Sequence, residues 1–428
     1  MLLLSMLSIA SMIDRQMLSV LMQPIKQDLG ISDTALGALS GTAFAVFYAT
    51  AAFPLARWAD RGNRPLILSL CLAGWSLATA ACGLAQNFLH LALARIGVAV
   101  GEASCTPASQ SLGIDLYPDR RALVVSIITS SQSLGIAAGL ALGGWLASFM
   151  PWRHVFVWVG LPGLIIALAL WLFAVEPRDV GVPAAEAASI RVAQPPLAQS
   201  FALMWRTPTM RWILLVAIGS SITGYGLLIW APTFFIRVHN LSIAEVGRNM
   251  GLVLLIGSVG GSMISAVIGD RLGRRDIRAY GWIAVIGQIF AVPAAIAFLL
   301  VGSESASMIS FFIMFLLTST WMGPLYAVSF TLMPVTIRAL VSASLTMFIN
   351  LAGLGIGPIL IGAISDRLAP AYGELSLRYG MVISLAGQVV AVGAAFMVVN
   401  SLSRLHGVSW SSQPRKQRKI GSLRARND

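Results

Sequence analysis

The sequence predicts an all-α polytopic membrane protein with twelve transmembrane helices in two six-helix bundles. Three observations predict it. Of the 428 residues, 57% are hydrophobic and 11% charged, whereas a soluble domain carries roughly a quarter charged residues. Apolar runs of about 20 residues, long enough to cross a bilayer, recur almost end to end. The basic residues are sorted unequally among the breaks between those runs.

The runs divide at polar or Gly/Pro-bearing breaks. In the first half they cover 1–23, 34–56, 65–85, 88–114, 122–148 and 154–175. In the second half they cover 211–236, 246–268, 279–300, 306–332, 339–364 and 379–402. The predicted units are therefore a bundle over 1–178, a solvated cytoplasmic linker over 179–210 with Pro183, Pro195 and Pro196, a bundle over 211–404 and a basic tail over 405–428. The start lacks the basic leader and cleavage site of a signal peptide, so the first span is expected to begin at or just before Met1.

Orientation follows because Lys and Arg are retained on the cytoplasmic side. With both termini inside, 21 of the 29 Lys and Arg fall in inner segments and 6 in outer ones, and Arg15 and Arg95 lie within spans. The net charge of +12 thus reads as topology and contact with anionic lipid, notably through Arg415, Lys416, Arg418 and Lys419, and not as nucleic-acid binding. A multi-pass protein of a bacterial inner membrane, acting as a monomer, is expected.

Enzyme chemistry finds little support. Cys71, Cys82 and Cys105 sit inside apolar runs at no metal-ligand spacing and read as small core residues. His90, His154, His239 and His406 are dispersed near span ends, and there is no Gly-x-Ser-x-Gly elbow. No cofactor or metal is expected.

The informative charges are those inside the bilayer. Asp14, Arg15, Arg95 and Glu102 fall within apolar spans of the first half, and the second half has none at depth. Each costs several kcal/mol if unpaired. Asp14 lies roughly 20 Å along the first helix, and Glu102 is at similar depth on the fourth. Arg95 precedes Glu102 by two turns and shares its face, while Arg15 points about 100° away from Asp14. A carboxylate in a dry cavity holds its proton, and an approaching arginine releases it. A network of two carboxylates and two permanent cations can therefore couple proton affinity to access, with the proton as coupling ion. The alternative is a fixed salt bridge tying the two helices together.

Polar groups in the second half are sparse, so one wall of a central cavity is charged and the other apolar. That suits an amphipathic anion better than a sugar, which needs many hydrogen-bonding side chains. Candidate lining residues are Phe44, Tyr48, Tyr225, Trp230, Trp321 and Asn350. Gly135, Gly139 and Gly143, and Gly353 with Gly357 and Pro358, permit close helix approach, either as fixed packing or as a pliable gate.

An internal repeat joins the halves. Ala59-Asp60-Arg61-Gly62-Asn63-Arg64 follows the second span, and Gly269-Asp270-Arg271-Leu272-Gly273-Arg274-Arg275 follows the eighth. Ser365-Asp366-Arg367 ends the eleventh span, where a 3+3 inverted repeat would place a copy. The two loops resemble the cytoplasmic signature of the major facilitator superfamily, with Asn63 and Pro65 departing from the pattern in the first and Ala266 in the second. A longer ordered set is similar to the Spinster family: Asp14-Arg15-Gln16, Pro24 to Leu29, Ser32-Asp33, Ala59-Asp60-Arg61, Trp75-Ser76, Ala94 to Gly97, Gly101-Glu102-Ala103 and Trp230 to Thr233.

The resemblance implies alternating-access transport of a lysolipid or sphingoid phosphate. It also implies that Asp14 and Glu102 carry protons, with Arg15 and Arg95 as their partners or as anchors for an anionic head group. Asp60, Arg61, Arg64, Asp270, Arg271 and Arg274 are the candidate cytoplasmic gate. Organic-anion, sugar-phosphate or drug transport is the alternative within the superfamily, and a non-transporting receptor the alternative outside it.

Overall fold

The computed structural model describes residues 1–177, 197–273, 276–334 and 337–409. Among these the regular structure is entirely helical. The first set of helices comprises α1 (Leu2–Leu29), α2 (Asp33–Gly37), α3 (Ala43–Arg61), α4 (Arg64–Cys82), α5 (Phe88–Glu102), α6 (Cys105–Leu116), α7 (Arg121–Ala147) and α8 (Trp152–Phe173). The second comprises α9 (Leu197–Arg206), α10 (Pro208–His239), α11 (Ile243–Gly273), α12 (Arg278–Leu300), α13 (Glu304–Thr318), α14 (Met322–Leu332), α15 (Arg338–Tyr372) and α16 (Ser376–Ser409).

Among the described residues, ten stretches are long and apolar enough to cross a membrane. The 28-residue α1 is not among them. It carries Asp14, Arg15, Lys26 and Asp28, which dilute its hydropathy. The last stretch, Leu340–Arg404, contains both α15 and α16. Most of the expected linker lies outside the described residues, and the rest of it is not simply solvated coil: α9 fills Leu197–Arg206. The expected tail lies mostly outside the described residues as well.

Two spans expected as continuous are broken at matching places. The run 88–114 divides between α5 and α6, directly after Glu102, and the run 306–332 divides between α13 and α14 at Ser319–Trp321. In both, the second piece has proline as its third residue, Pro107 in Cys105-Thr106-Pro107 and Pro324 in Met322-Gly323-Pro324. Proline has no N–H for the preceding turn and is favoured near a helix start, although Pro232, Pro293 and Pro358 lie inside unbroken helices of this protein. The helix restarts just before each of these two prolines, and Glu102 comes to lie at a helix end inside the protein. A third irregularity is the π-helical turn Ala38–Thr42 between α2 and α3.

Helix α7 packs along α1, α4 along α8, and α10 along both α15 and α16. Between the sets, α7 meets α11, and α2 with its π turn meets α15. These meetings depend on small residues. A Cβ on Gly144 would lie 2.9 Å from the Cα of Gly247, and one on Gly37 would lie 2.9 Å from the Cα of Ile359. The Thr42 hydroxyl donates to the Gly355 carbonyl at 2.5 Å. Gly135, Gly139 and Gly143, by contrast, fit α7 onto α1, and Gly353 and Gly357 fit α15 onto α10, within one set each.

The inter-set contacts lie toward the end of the molecule that carries Asp33. Gly144, Ala137 and Ser130 occupy one face of α7 at seven-residue steps. Gly144 and Ala137 pack against Gly247 and Gly251 of α11, but Ser130 is exposed. The sets are held together at the Asp33 end, and α7 is exposed at Ser130, on the side away from it.

Candidate functional site

The four intramembrane charges converge between α1, α4 and α5. Ser11 and Arg15 lie one turn apart on α1 and both reach Glu102, the last residue of α5. Ser11 Oγ donates to Glu102 Oε2 at 3.0 Å, and Arg15 Nε donates to the same oxygen at 2.7 Å. Glu102 is fully buried, and its Oε1 has no hydrogen-bond partner.

Asp14 faces the other way, toward α4, and Thr79 Oγ1 donates to its Oδ2 at 3.2 Å. Arg95 is also buried. Its Nη1 donates to the backbone carbonyl of Asp14 at 3.5 Å, and its Nε is unpartnered. The shared face of Arg95 and Glu102 thus does not pair them. The hydrogen bonds instead join Arg15 to Glu102 and Arg95 to the Asp14 backbone.

Arg15 is the accessible member, with a side chain 19% exposed against 0% for Glu102. Its guanidinium lies 4.7 Å from the ring centroid of Phe44 and 4.8 Å from that of Tyr48. The two rings are stacked. Arg95 also lies 5.4 Å from the Phe44 ring. Aromatic faces favour a cation whose water has been removed, so α3 supplies the platform on which Arg15 rests.

Of the other expected lining residues, Tyr225 of α10 is half-buried and interacts electrostatically with Arg15 and Tyr48, and Asn350 is also half-buried. Trp230 and Trp321 do not line a cavity. Trp230 is fully buried, donating its indole N–H to the Pro358 carbonyl at 2.9 Å and so tying α10 to α15. Trp321 packs in the core of the second set.

The loop after α3 leads into a network centred on Arg64. Arg64 is buried at the start of α4. It reaches Ser111 at 2.9 Å and Asp115 at 2.6 Å on α6, and it forms an ion pair with Glu176 beyond α8. The Arg64 backbone N–H also donates to Glu176, at 2.8 Å. Arg64 therefore ties together α4, α6 and the end of α8 within one set. Arg61, Asp270 and Arg271 are exposed. The Asp60 side chain and Arg274 lie outside the described residues.

At the opposite end, a cluster that sequence reasoning missed joins the two sets. Arg237 of α10 donates from Nη1 and Nη2 to the two oxygens of Asp33, at 2.8 Å each, and from Nε to Gln23 at 2.7 Å. Lys26 and Ser365 also donate to Asp33, at 2.6 and 2.7 Å. Lys26, Asp33 and Ser365 lie in motifs that the sequence analysis quotes, but nothing local pairs them with Arg237. Ser11 and Thr79 are single hydroxyls inside apolar runs, and Asp115 and Glu176 stand at span ends, so none of the four is marked as a partner. The one available signal was the spacing of Ser11 and Arg15, which puts both on one helical face.

The model of the Major Facilitator Superfamily matches residues 4–358. The chain belongs to this superfamily. The facilitator is 32% identical to an MFS-type efflux pump of Mycolicibacterium smegmatis, over 89% of this chain and 87% of the relative. It is 28% identical to a probable L-galactonate transporter of Escherichia coli, over 92% and 87%. Among solved structures, it is similar to a bacterial homologue of the human lysosomal transporter Spinster in an inward-facing, unoccupied conformation. That likeness has a TM-score of 0.83 and 29% identity, covering 94% of this chain and 97% of the other. This facilitator is a transporter and not an enzyme, and the Spinster resemblance extends over nearly its whole length.

Proposed function

We propose that the chain is a proton-coupled secondary transporter of an organic anion, working by alternating access. The observation that carries the reading is Arg15, partly exposed on an aromatic platform and bonded to a fully buried carboxylate. An anion entering between the sets reaches Arg15 before any other intramembrane charge. By taking Arg15 it leaves Glu102 with only the Ser11 hydroxyl. An uncompensated carboxylate in a dry site is costly, and binding a proton removes that cost, so anion and proton would be held together. Asp14, with Thr79 and the Arg95 guanidinium nearby, is the second proposed proton carrier.

The reading includes twelve spans in two six-helix bundles with inverted repeats. It places both termini and the Arg64 end in the cytoplasm of a bacterial inner membrane, and it takes the protein as a monomer. The inward-facing state of the similar Spinster homologue supports assigning the open end to the cytoplasm. The substrate class named by the galactonate relative, a sugar acid, makes a small carboxylate the first ligand to test. A lysolipid or sphingoid phosphate is the second, favoured by the near-complete coverage of the Spinster homologue.

The test is a thermal-shift screen of the purified protein against sugar acids, aromatic acids, lysophospholipids and sphingoid phosphates, repeated on Arg15→Ala. Stabilisation by one anion class that disappears in Arg15→Ala supports the reading. Stabilisation that persists in the variant overturns the head-group assignment. Counterflow of the labelled ligand in proteoliposomes distinguishes a transporter from a receptor.

A further inference from the structure

Asp366 lies on α15, at the outer end assigned above, and its carboxylate reaches across to the first residues of α2. Asp366 Oδ1 accepts the Asp33 backbone N–H at 2.9 Å. Its Oδ2 accepts the Thr34 backbone N–H at 2.8 Å and the Thr34 hydroxyl at 2.6 Å. A helix leaves its first four N–H groups without internal partners. Here two of them are satisfied by the opposite set of helices, while Ser32 on the same chain segment accepts only Ala35 N–H, at 3.1 Å. The close approach is permitted by Gly362, where a Cβ would lie 2.7 Å from the Asp33 carbonyl carbon.

We propose that Asp366 is a positioning residue of the transport cycle: a detachable helix cap, supplied in trans, that holds the outer side shut together with the Asp33–Arg237 pair. The two contacts differ in what they fix. The ion pair supplies attraction, and its long arginine tolerates some sliding. The cap fixes register, because the two carboxylate oxygens meet successive amides and a shift of α2 along α15 breaks both bonds. Opening outward must detach the cap and expose the start of α2 to water. The proposal rests on the orientation and alternating access argued above.

The test uses a cysteine-free background in which Cys71, Cys82 and Cys105 are replaced by alanine. It carries one of two reporters, Leu140→Cys in the closed outer half or Ser130→Cys in the open inner half, and membrane-impermeant maleimide is added from each side. Asp366→Ala should raise outer-side labelling of Leu140→Cys by about fivefold and lower inner-side labelling of Ser130→Cys, as loss of a cap predicts. Asp366→Asn keeps one accepting oxygen but turns an NH2 toward the second amide, so its outer-side labelling should fall between those of the parent and Asp366→Ala. Asp366→Glu keeps the charge but displaces both oxygens from the two amides and should label as Asp366→Ala does; parent-like labelling in Asp366→Glu would show that the charge alone suffices and refute the cap. Unchanged labelling in Asp366→Ala, while Arg237→Ala raises it, also overturns the proposal.

A misfolded Asp366→Ala would label both reporters from both sides. Thr34→Val, which removes only the hydroxyl bond, then decides by a rise of about twofold or none. A wrong orientation is told apart because the two reporters would exchange sides in the parent protein.

Discussion

Arg15 Nε lies 2.7 Å from Glu102 Oε2, while Glu102 Oε1 is buried without a hydrogen-bond partner. The pair joins α1 to the end of α5 at the point where that helix breaks. One oxygen is held by Arg15 and Ser11, and the other has no hydrogen-bond partner. A purely structural salt bridge is better served when both oxygens are satisfied, because a buried unmet acceptor costs about 1–3 kcal/mol. The proposed coupling role is built on that imbalance.

Glu102→Gln should abolish the dependence of transport on the proton gradient while leaving ligand counterflow measurable. The amide keeps an acceptor for Arg15 and Ser11 but cannot take up a proton. Proteoliposomes with and without an imposed pH gradient supply the measurement. Gradient-driven uptake that matches the parent would remove Glu102 from the coupling mechanism.

Arg15→Lys should weaken anion binding by about tenfold or more, although the charge is kept. Lysine cannot lie flat on the Phe44 and Tyr48 rings, and it lacks the planar fork with which arginine binds an anion. Titration calorimetry with the ligand found in the screen is the check. Equal affinity in the two proteins would mean that only the charge matters there.

Glu176→Gln and Asp115→Asn should differ in cost, although both acids bind Arg64. Arg64 and Glu176 are 1% and 2% exposed, whereas Asp115 is 45% exposed. Removing the charge of a buried partner costs about 3–5 kcal/mol, and an exposed pair contributes about 0–1 kcal/mol. Thermal unfolding in detergent should place Glu176→Gln well below the parent and Asp115→Asn close to it. Equal losses would show that burial does not set the strength of this network.

Gly144→Val should prevent closure between α7 and α11, because even a Cβ at this position is too close to Gly247. The expected outcome is a folded protein with little transport and raised outer-side labelling of Leu140→Cys. Parent-like transport would mean that this contact is not needed for the closed state.

What the sequence determined by itself follows from short-range physics. The apolar runs, the superfamily and the four intramembrane charges were legible because each is written in a single helix or a short loop motif. The breaks before Pro107 and Pro324 were not legible, because both runs are continuously apolar and Pro232, Pro293 and Pro358 sit inside helices that do not break. Tertiary structure decided which charges meet. Arg95 and Glu102 share a helical face, yet Glu102 pairs with Arg15 of α1, a partner 87 residues away that only the packing of separate helices brings near. Asp33, Arg237 and Asp366 are 333 residues apart at their extremes, and nothing local marks them as partners. Only the approach of α2 to α15, through residues too small to keep the backbones apart, brings them together.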